Sequence, residues 1–401
     1  MNRLTTPFGS YELTRFPADP RDRLQAWDAA DEYLLRHLDA GTGERGPVDL
    51  AGAGQITVIG DRWGTLTTAL AAYRPTQITD SSLTRAATEA NLDRAGIGTS
   101  KSTVTLLTTR DAPPERIDVL LVRVPKSLAL LEDQLYRVAP HVHAGTVVVG
   151  AGMVKEIHTS TLRLFEKILG PTKTSLAEKK ARLIFCTPGN PGAARPTTAG
   201  PWPLTYTVDE DGGSGAGLTV VNHAGIFCAD RLDVGTRFFL QNIPTNTDGA
   251  RVVDLGCGNG VVGTAVAVAD PDAAVVFTDE SYQAVASARA TYEANVPAGR
   301  RTAEFLTGDG VAMLTPGSVD LVLCNPPFHS HQATTDATAL RMFAQSRKAL
   351  RPGGELWVVA NRHMGYHTHL RRLFGNSEVT ASEPKFVVLR AVKREERTRP
   401  M

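Results

Sequence analysis

Beyond residue 250 short β-branched runs alternate with segments of ten to fifteen residues whose apolar positions recur at helical spacing. RVVDLG (251–256) leads through glycines into VVGTAVAVA (261–269), and AVVFTDE (274–280) leads into SYQAVASARATYEANV (281–296). EFLTGDG (304–310), VDLVLCNPP (319–327), the amphipathic ATALRMFAQSRKAL (337–350), ELWVVAN (355–361) and KFVVLRAVK (385–393) follow. Such alternation predicts a doubly wound, largely parallel α/β sheet whose last strand can run antiparallel.

The same order occurs earlier with changed residues. QITVIGDRWGTLTTALAAY (55–73) stands where the glycine turn stands later, QITDSSLTRAATEANL (77–92) echoes the next strand and helix, and DVLLVRVPKS (118–127) takes the place of DLVLCNPPFH. LALLEDQLYRVAPHVHAGTVVVGAGM (128–153) parallels the final helix and strand. The expected architecture is therefore two tandem doubly wound, Rossmann-like domains, the first a degenerate copy. Gly60 and Gly64 survive there, but Arg62 and Trp63 fill positions that must be small for a cofactor to approach the backbone. Between the copies, residues 187–217 are rich in Pro, Gly and Thr, and DEDGGSGAG within them is not expected to sustain a helix or strand. YTV and LTVVNHAGIFC on either side suggest a β-hairpin turned by these glycines. The expected division is 1–186, a linker and hairpin turn at 187–217, and 218–401.

A chain of 401 residues, 42% hydrophobic and 21% charged, is globular in composition and long enough for two or three domains. No run of eighteen apolar residues occurs, and the opening MNRLTTPFGS has no basic segment leading into an apolar stretch, so a cytoplasmic protein without a membrane span or signal peptide is expected. The four cysteines are scattered with no CxxC pair, which gives no disulfide framework or zinc knuckle. Net charge is only +1, yet residues 251–340 carry 4 basic and 10 acidic side chains and residues 341–401 carry 13 and 5. Residues 151–200, with 8 and 3, add a second basic stretch. Such asymmetry allows positive faces on a nearly neutral chain.

The chemistry-bearing residues lie in the second half. DLGCGNG (254–260) joins a strand to a helix, and Gly256, Gly258 and Gly260 beside Cys257 leave room for a nucleoside against the turn. Dinucleotide binders share this kind of loop. Here an acid, Asp254, replaces the first glycine of their fingerprint, which suits the ammonium of S-adenosylmethionine better than a phosphate. Asp279 at the next strand end is placed to accept ribose hydroxyls, and Asp309 in TGDG to accept from an adenine amine.

NPPF (325–328) suits methylation of a planar exocyclic nitrogen. The Asn325 carboxamide oxygen and the Pro326 carbonyl can accept both N–H bonds and aim the lone pair at the methyl. Pro326 and Pro327 fix the backbone, and Phe328 can stack on the acceptor plane. His329 and His331 have no third ligand at helical spacing, so no metal is expected. A zinc site at His363, His367 and His369 is disfavoured against a basic RNA-facing helix with Arg362, Arg371 and Arg372.

With these motifs assembled, the chain resembles the ribosomal RNA guanine-N2 methyltransferases built from two tandem class I methyltransferase domains, and most of all their large-subunit (23S) branch. EKKARLIFC (178–186), LDVGTRFFLQN (232–242), DLGCGNG, VVFTDES, CNPPFH and the NRH segment at 361–376 carry the resemblance. It implies that the second domain binds S-adenosylmethionine and methylates a guanine of 23S rRNA, naked or in an early assembly intermediate, with no obligate protein partner. It further implies that the first domain helps to bind RNA; Lys179 and Lys180, in the basic stretch at 151–200, are the candidate contacts there. Asp233, Gly235 and Arg237 are carried over as lining the cofactor's methionine end. The rival readings are a 16S guanine, a glutamine side chain, a non-catalytic RNA-binding assembly protein with a fossil site, and a nicotinamide-dependent reductase.

Overall fold

The computed structural model describes residues 3–18, 24–43, 45–98, 103–189, 200–300, 302–327 and 333–395. The chain divides into two compact units, Met1–Trp202 and Pro203–Met401. The first contains β1 (Arg3–Thr6), β2 (Gly9–Glu12), α1 (Ala29–Ala40), β3 (Ile56–Ile59), α2 (Thr65–Ala69), β4 (Thr76–Thr79), α3 (Ser82–Arg94) and β5 (Thr105–Thr108). It continues with β6 (Ile117–Arg123), α4 (Leu128–Val138), β7 (Val142–Met153), α5 (Thr159–Ile168), β8 (Thr172–Thr174) and β9 (Ala181–Cys186). The second contains β10 (Leu204–Thr207), β11 (Thr219–Asn222), α6 (Val234–Leu240), β12 (Arg251–Leu255), α7 (Val261–Ala269), β13 (Ala274–Asp279) and α8 (Tyr282–Asn295). Then come β14 (Glu304–Thr307), β15 (Val319–Cys324), α9 (Ala333–Ala349), β16 (Leu350–Asn361), α10 (Tyr366–Phe374), β17 (Glu378–Ser382) and β18 (Phe386–Val392).

Each unit is a seven-stranded sheet with an antiparallel hairpin before it, and the two sheets have the same order: β5-β4-β3-β6-β7-β9-β8 and β14-β13-β12-β15-β16-β18-β17. The first five strands of each run parallel; the last two pair antiparallel. Apolar runs such as VVDL and LVLC are needed because helices cover both faces of a parallel sheet. Accordingly Val252, Leu321 and Leu323 pack into one layer of the second unit, and Val253, Val322 and Cys324 into the other.

The tract expected to sustain no helix behaves differently. Glu210–Gly215 winds into 3-10 turns interrupted at Gly213, whose φ is 60°. A Cβ on Gly213 would lie 2.7 Å from the Gln241 backbone nitrogen, and one on Gly215 would lie 2.9 Å from the Leu240 side chain. These glycines let the turn press against the end of α6, so close packing rather than slack accounts for them.

Candidate active site

In the second sheet the chain reverses its direction of growth between β12 and β15, which are hydrogen-bonded neighbours. The crevice outside their C-terminal ends is where open α/β sheets hold ligands. The glycine turn leaves β12 and the NPP segment leaves β15, so two motifs some seventy residues apart in sequence meet at this crevice.

Asp254 is buried on β12, and its Oδ2 accepts the Gly263 N–H at 2.8 Å. Burial pushes its carboxyl up to about 7, against the Gly263 bond, and the neighbouring Asp279 adds to the rise. At the end of β13 the two oxygens of Asp279 accept the Gly258 N–H at 3.0 Å and the Ser281 N–H at 3.0 Å. Burial raises Asp279 too, opposed by those N–H donors. The buried Asp254 and the half-buried Asp279, both with raised pKa values, favour a cationic ligand, whose charge lowers the cost of ionising them.

The glycines divide the work. A Cβ on Gly258 meets nothing within 4 Å, so this position faces open space, while one on Gly260 would lie 2.6 Å from the Ala288 Cα of α8. Gly258 fits the expectation of backbone bared to a ligand, a Cβ on Gly256 would meet just the end of the Met342 side chain at 3.2 Å, and Gly260 is needed for turn-to-helix contact. Asn259, which sequence reasoning passed over, bonds to Asn222 at 3.1 Å and ties the turn to the hairpin. S-adenosylmethionine fits these residues: a cation for Asp254 and Asp279, and a backbone clear of side chains at Gly258.

Asn325 directly follows β15. Its Nδ2 donates to Thr236 Oγ1 at 2.9 Å, whereas its Oδ1 is buried and has no hydrogen-bond partner among the described residues. A buried carboxamide oxygen without a donor is costly, at about 1–3 kcal/mol, and marks a place for an N–H ligand. Pro326 is buried and Pro327 exposed; Phe328, His329 and His331 lie outside the described residues.

The remaining candidate site residues make further contacts within the unit. Arg237 pairs with Asp211 on the 3-10 turns, and Gly235 packs against Phe386, where a Cβ would come within 3.0 Å of the ring. Neither contact is to the glycine turn or Asn325. Of that trio only Asp233 connects to Asn325, by capping α6 through the Thr236 N–H. Asp309 lies two residues past β14 and accepts from Arg341 and Gln345 of α9, both at 3.1 Å, so it anchors that helix to the crevice. The thiols of Cys186, Cys228, Cys257 and Cys324 are all raised by burial, so none is poised as a thiolate nucleophile. Arg362, Arg371 and Arg372 are exposed around α10, and Lys179 and Lys180 form the exposed tip between β8 and β9. Among the described residues no helix is long and apolar enough to cross a membrane.

Comparison with known proteins identifies the family. The family model described as RLMG N-terminal domain matches residues 1–190, and the Methyltransferase small domain model matches residues 217–390. The chain is 68% identical to the ribosomal RNA large subunit methyltransferase G of Streptomyces avermitilis, with 98% of this chain and 99% of that one covered. For the protein of the same name from Ectopseudomonas mendocina the identity is 47%, with 97% and 99% covered. The chain belongs to the ribosomal RNA large subunit methyltransferase G family. Among solved structures, the T. thermophilus 16S rRNA N2 G1207 methyltransferase, in complex with AdoMet and guanosine, aligns with a TM-score of 0.69 at 20% identity. That alignment covers 98% of this chain and 97% of the other, and shows that the fold is shared.

Sheet register shows how the first copy in this family member departs from the second. Ile59 pairs with Ile78 and Val122 as Leu255 pairs with Thr278 and Cys324. By that register Val58 replaces Asp254, Arg62 replaces Gly258, Thr79 replaces Asp279 and Arg123 replaces Asn325. Arg62 pairs with Asp28 at 3.1 Å and Glu156 at 2.8 Å, while the fully buried Arg123 pairs with Asp28 at 2.9 Å and Asp31 at 2.7 Å. Burial alone would lower Arg123, but Asp31, Asp28, Glu156 and Asp61 raise it instead. Ion pairs thus fill the crevice of the first unit.

Proposed function

We propose that this protein transfers the methyl group of S-adenosylmethionine to the exocyclic N2 of a guanine in 23S ribosomal RNA. The observation that carries this reading is the buried Asn325 Oδ1, without a donor of its own beside a glycine turn that suits a nucleoside cation. S-adenosylmethionine, when bound, supplies an electrophilic sulfonium methyl. Asp254 and the turn 256–260 hold it, Asp279 takes its ribose, and Asp309 stands on the adenine side. Asn325 Oδ1 and the Pro326 carbonyl accept the two N–H bonds of the guanine amine, which turns its lone pair toward the methyl. The new N–CH3 bond would form as the sulfonium S–CH3 bond breaks, its electron pair staying on sulfur in the neutral thioether S-adenosylhomocysteine; the surplus N–H proton then leaves to solvent, so no side chain need act as a base before transfer. The raised thiols support direct transfer over covalent attachment to a cysteine.

An amine stacked within a duplex cannot reach the crevice, so the target is an unpaired or extruded guanine in naked RNA or an early assembly intermediate. The first unit contributes to RNA binding rather than cofactor binding, with Lys179 and Lys180 as contacts, joined by Arg362, Arg371 and Arg372 of the second. Such a protein works in the cytoplasm, where ribosomes are assembled. The large-subunit name of relatives at 44–68% identity favours 23S over 16S RNA. Labelled methyl transfer to protein-free 16S and 23S RNA from a strain lacking the gene, read by nucleoside mass spectrometry, tests the proposal. N2-methylguanosine in 23S RNA alone is expected; label confined to 16S RNA, or absent from both, contradicts it.

A further inference from the structure

We infer that Thr236 and Asp233 are positioning residues that fix the direction of the Asn325 amide, an inference that rests on the proposed function. The Thr236 hydroxyl lies 2.9 Å from Asn325 Nδ2 and 3.4 Å from Asp233 Oδ2, and Asp233 also accepts the Thr236 N–H at 3.0 Å. Asp233 is acceptor-only when ionised, so the hydroxyl proton points to it. The hydroxyl oxygen is then left to accept, and the side of the amide facing it must be the NH2. Thr236 therefore determines that Oδ1, and not Nδ2, faces the acceptor base. A flipped amide would present a donor to a guanine amine that is itself a donor, and binding in the productive orientation would fail.

The first unit supplies an independent indication that this contact is a joint of the architecture. Asp28 caps α1 as Asp233 caps α6, and Asp31 stands three residues later as Thr236 does. Arg123, in the place of Asn325, pairs with Asp31 at 2.7 Å. The partners have changed from amide and hydroxyl to guanidinium and carboxylate, yet the link from strand end to third helical residue persists in both copies. At this link the second copy leaves an acceptor atom over, Asn325 Oδ1.

The test compares Thr236→Val, Thr236→Ala and Thr236→Ser in the full-length protein with 23S RNA lacking the modification. Single-turnover rate, RNA half-saturation, S-adenosylmethionine affinity and melting temperature are measured for each. Loss of the hydroxyl in the Val and Ala variants is expected to slow transfer by about 10- to 100-fold, with cofactor affinity, RNA half-saturation and melting little changed. The Ser variant, which keeps the hydroxyl, should transfer within about threefold of the original protein. Should Thr236→Val fail to fold, the Ala and Ser pair still separates hydroxyl from methyl. Undiminished transfer by the Val or Ala variant overturns the inference, as does a Ser variant as slow as Ala, or a loss of cofactor affinity equal to the loss of rate. Absence of transfer by the original protein overturns the proposed function as well, whereas normal original activity with any of those three results overturns the inference alone.

Discussion

Replacing Asp254 with Asn should stabilise the protein and weaken its hold on S-adenosylmethionine. Burial moves this carboxyl from 3.8 to about 7. At about 1.4 kcal/mol for each factor of ten, an ionised Asp254 costs the folded state roughly 4 kcal/mol. The sign is opposite to that of a salt-bridged acid. Because the folded form binds the proton more tightly, the penalty is absent below pH 4, grows as pH rises from about 4 to 7, and is complete above that. Asparagine keeps an acceptor for the Gly263 N–H but forfeits the charge-assisted part of that bond, about 1 kcal/mol. A net gain of about 3 kcal/mol at pH 8 remains, and each kcal/mol raises the melting of a unit this size by about 2–4 °C. Calorimetry between pH 5 and 8 should show the Asn variant melting higher at pH 8, with the advantage shrinking toward pH 5. Titration with S-adenosylmethionine should show an affinity about tenfold weaker or more, because a charged acceptor for its ammonium is gone. A variant no more stable than the original at pH 8, or one that binds cofactor equally well, would refute the assignment of Asp254 as a buried anion kept for a cation.

Three other outcomes follow from the geometry. Arg123→Met should lower stability by about 3–5 kcal/mol in denaturant titrations, because Asp28 and Asp31 lose the cation buried against them; a loss under 1 kcal/mol would show that the ion network is dispensable. Calorimetric titration should give one S-adenosylmethionine per chain, since Arg62 occupies the place of Gly258; two equivalents would contradict the filled crevice of the first unit. Lys179 and Lys180 sit in a left-handed two-residue turn at φ 47° and 63°, so Lys179→Asn with Lys180→Gly should stabilise the turn by about 1–2 kcal/mol. The same pair should weaken RNA binding and lower the slope of log affinity against log salt by up to about 2; an unchanged slope would remove these lysines from the RNA face.

The parallel core of both units was legible because its strands are apolar runs and its helices periodic: VVDL, VVFTD, LVLC and their counterparts at 56–59 and 119–122 all became strands. Less visible was β17, whose sequence EVTAS is almost wholly exposed at the sheet edge and carries no alternation. The α1 helix went unread too, although Asp28 and Asp31 form its capping box, a signal the chain does contain. At the site, Asp254, Asp279, Gly258 and Asn325 were legible because motif spacing places them at strand ends. Thr236 was not, since it joins Asn325 across 89 residues and only the third dimension reveals it. The packing of Gly260 against the Ala288 backbone was not legible either, since it is a contact that sequence cannot display.

The most direct test of the central claim is Asn325→Ala, followed by single-turnover transfer to 23S RNA and by S-adenosylmethionine affinity on the same preparation. On the proposed role, loss of the amide oxygen should lower transfer by about 100-fold or more while cofactor affinity stays within about threefold. Transfer at the original rate, or equal losses of transfer and cofactor binding, would contradict the role of Asn325 in orienting the acceptor.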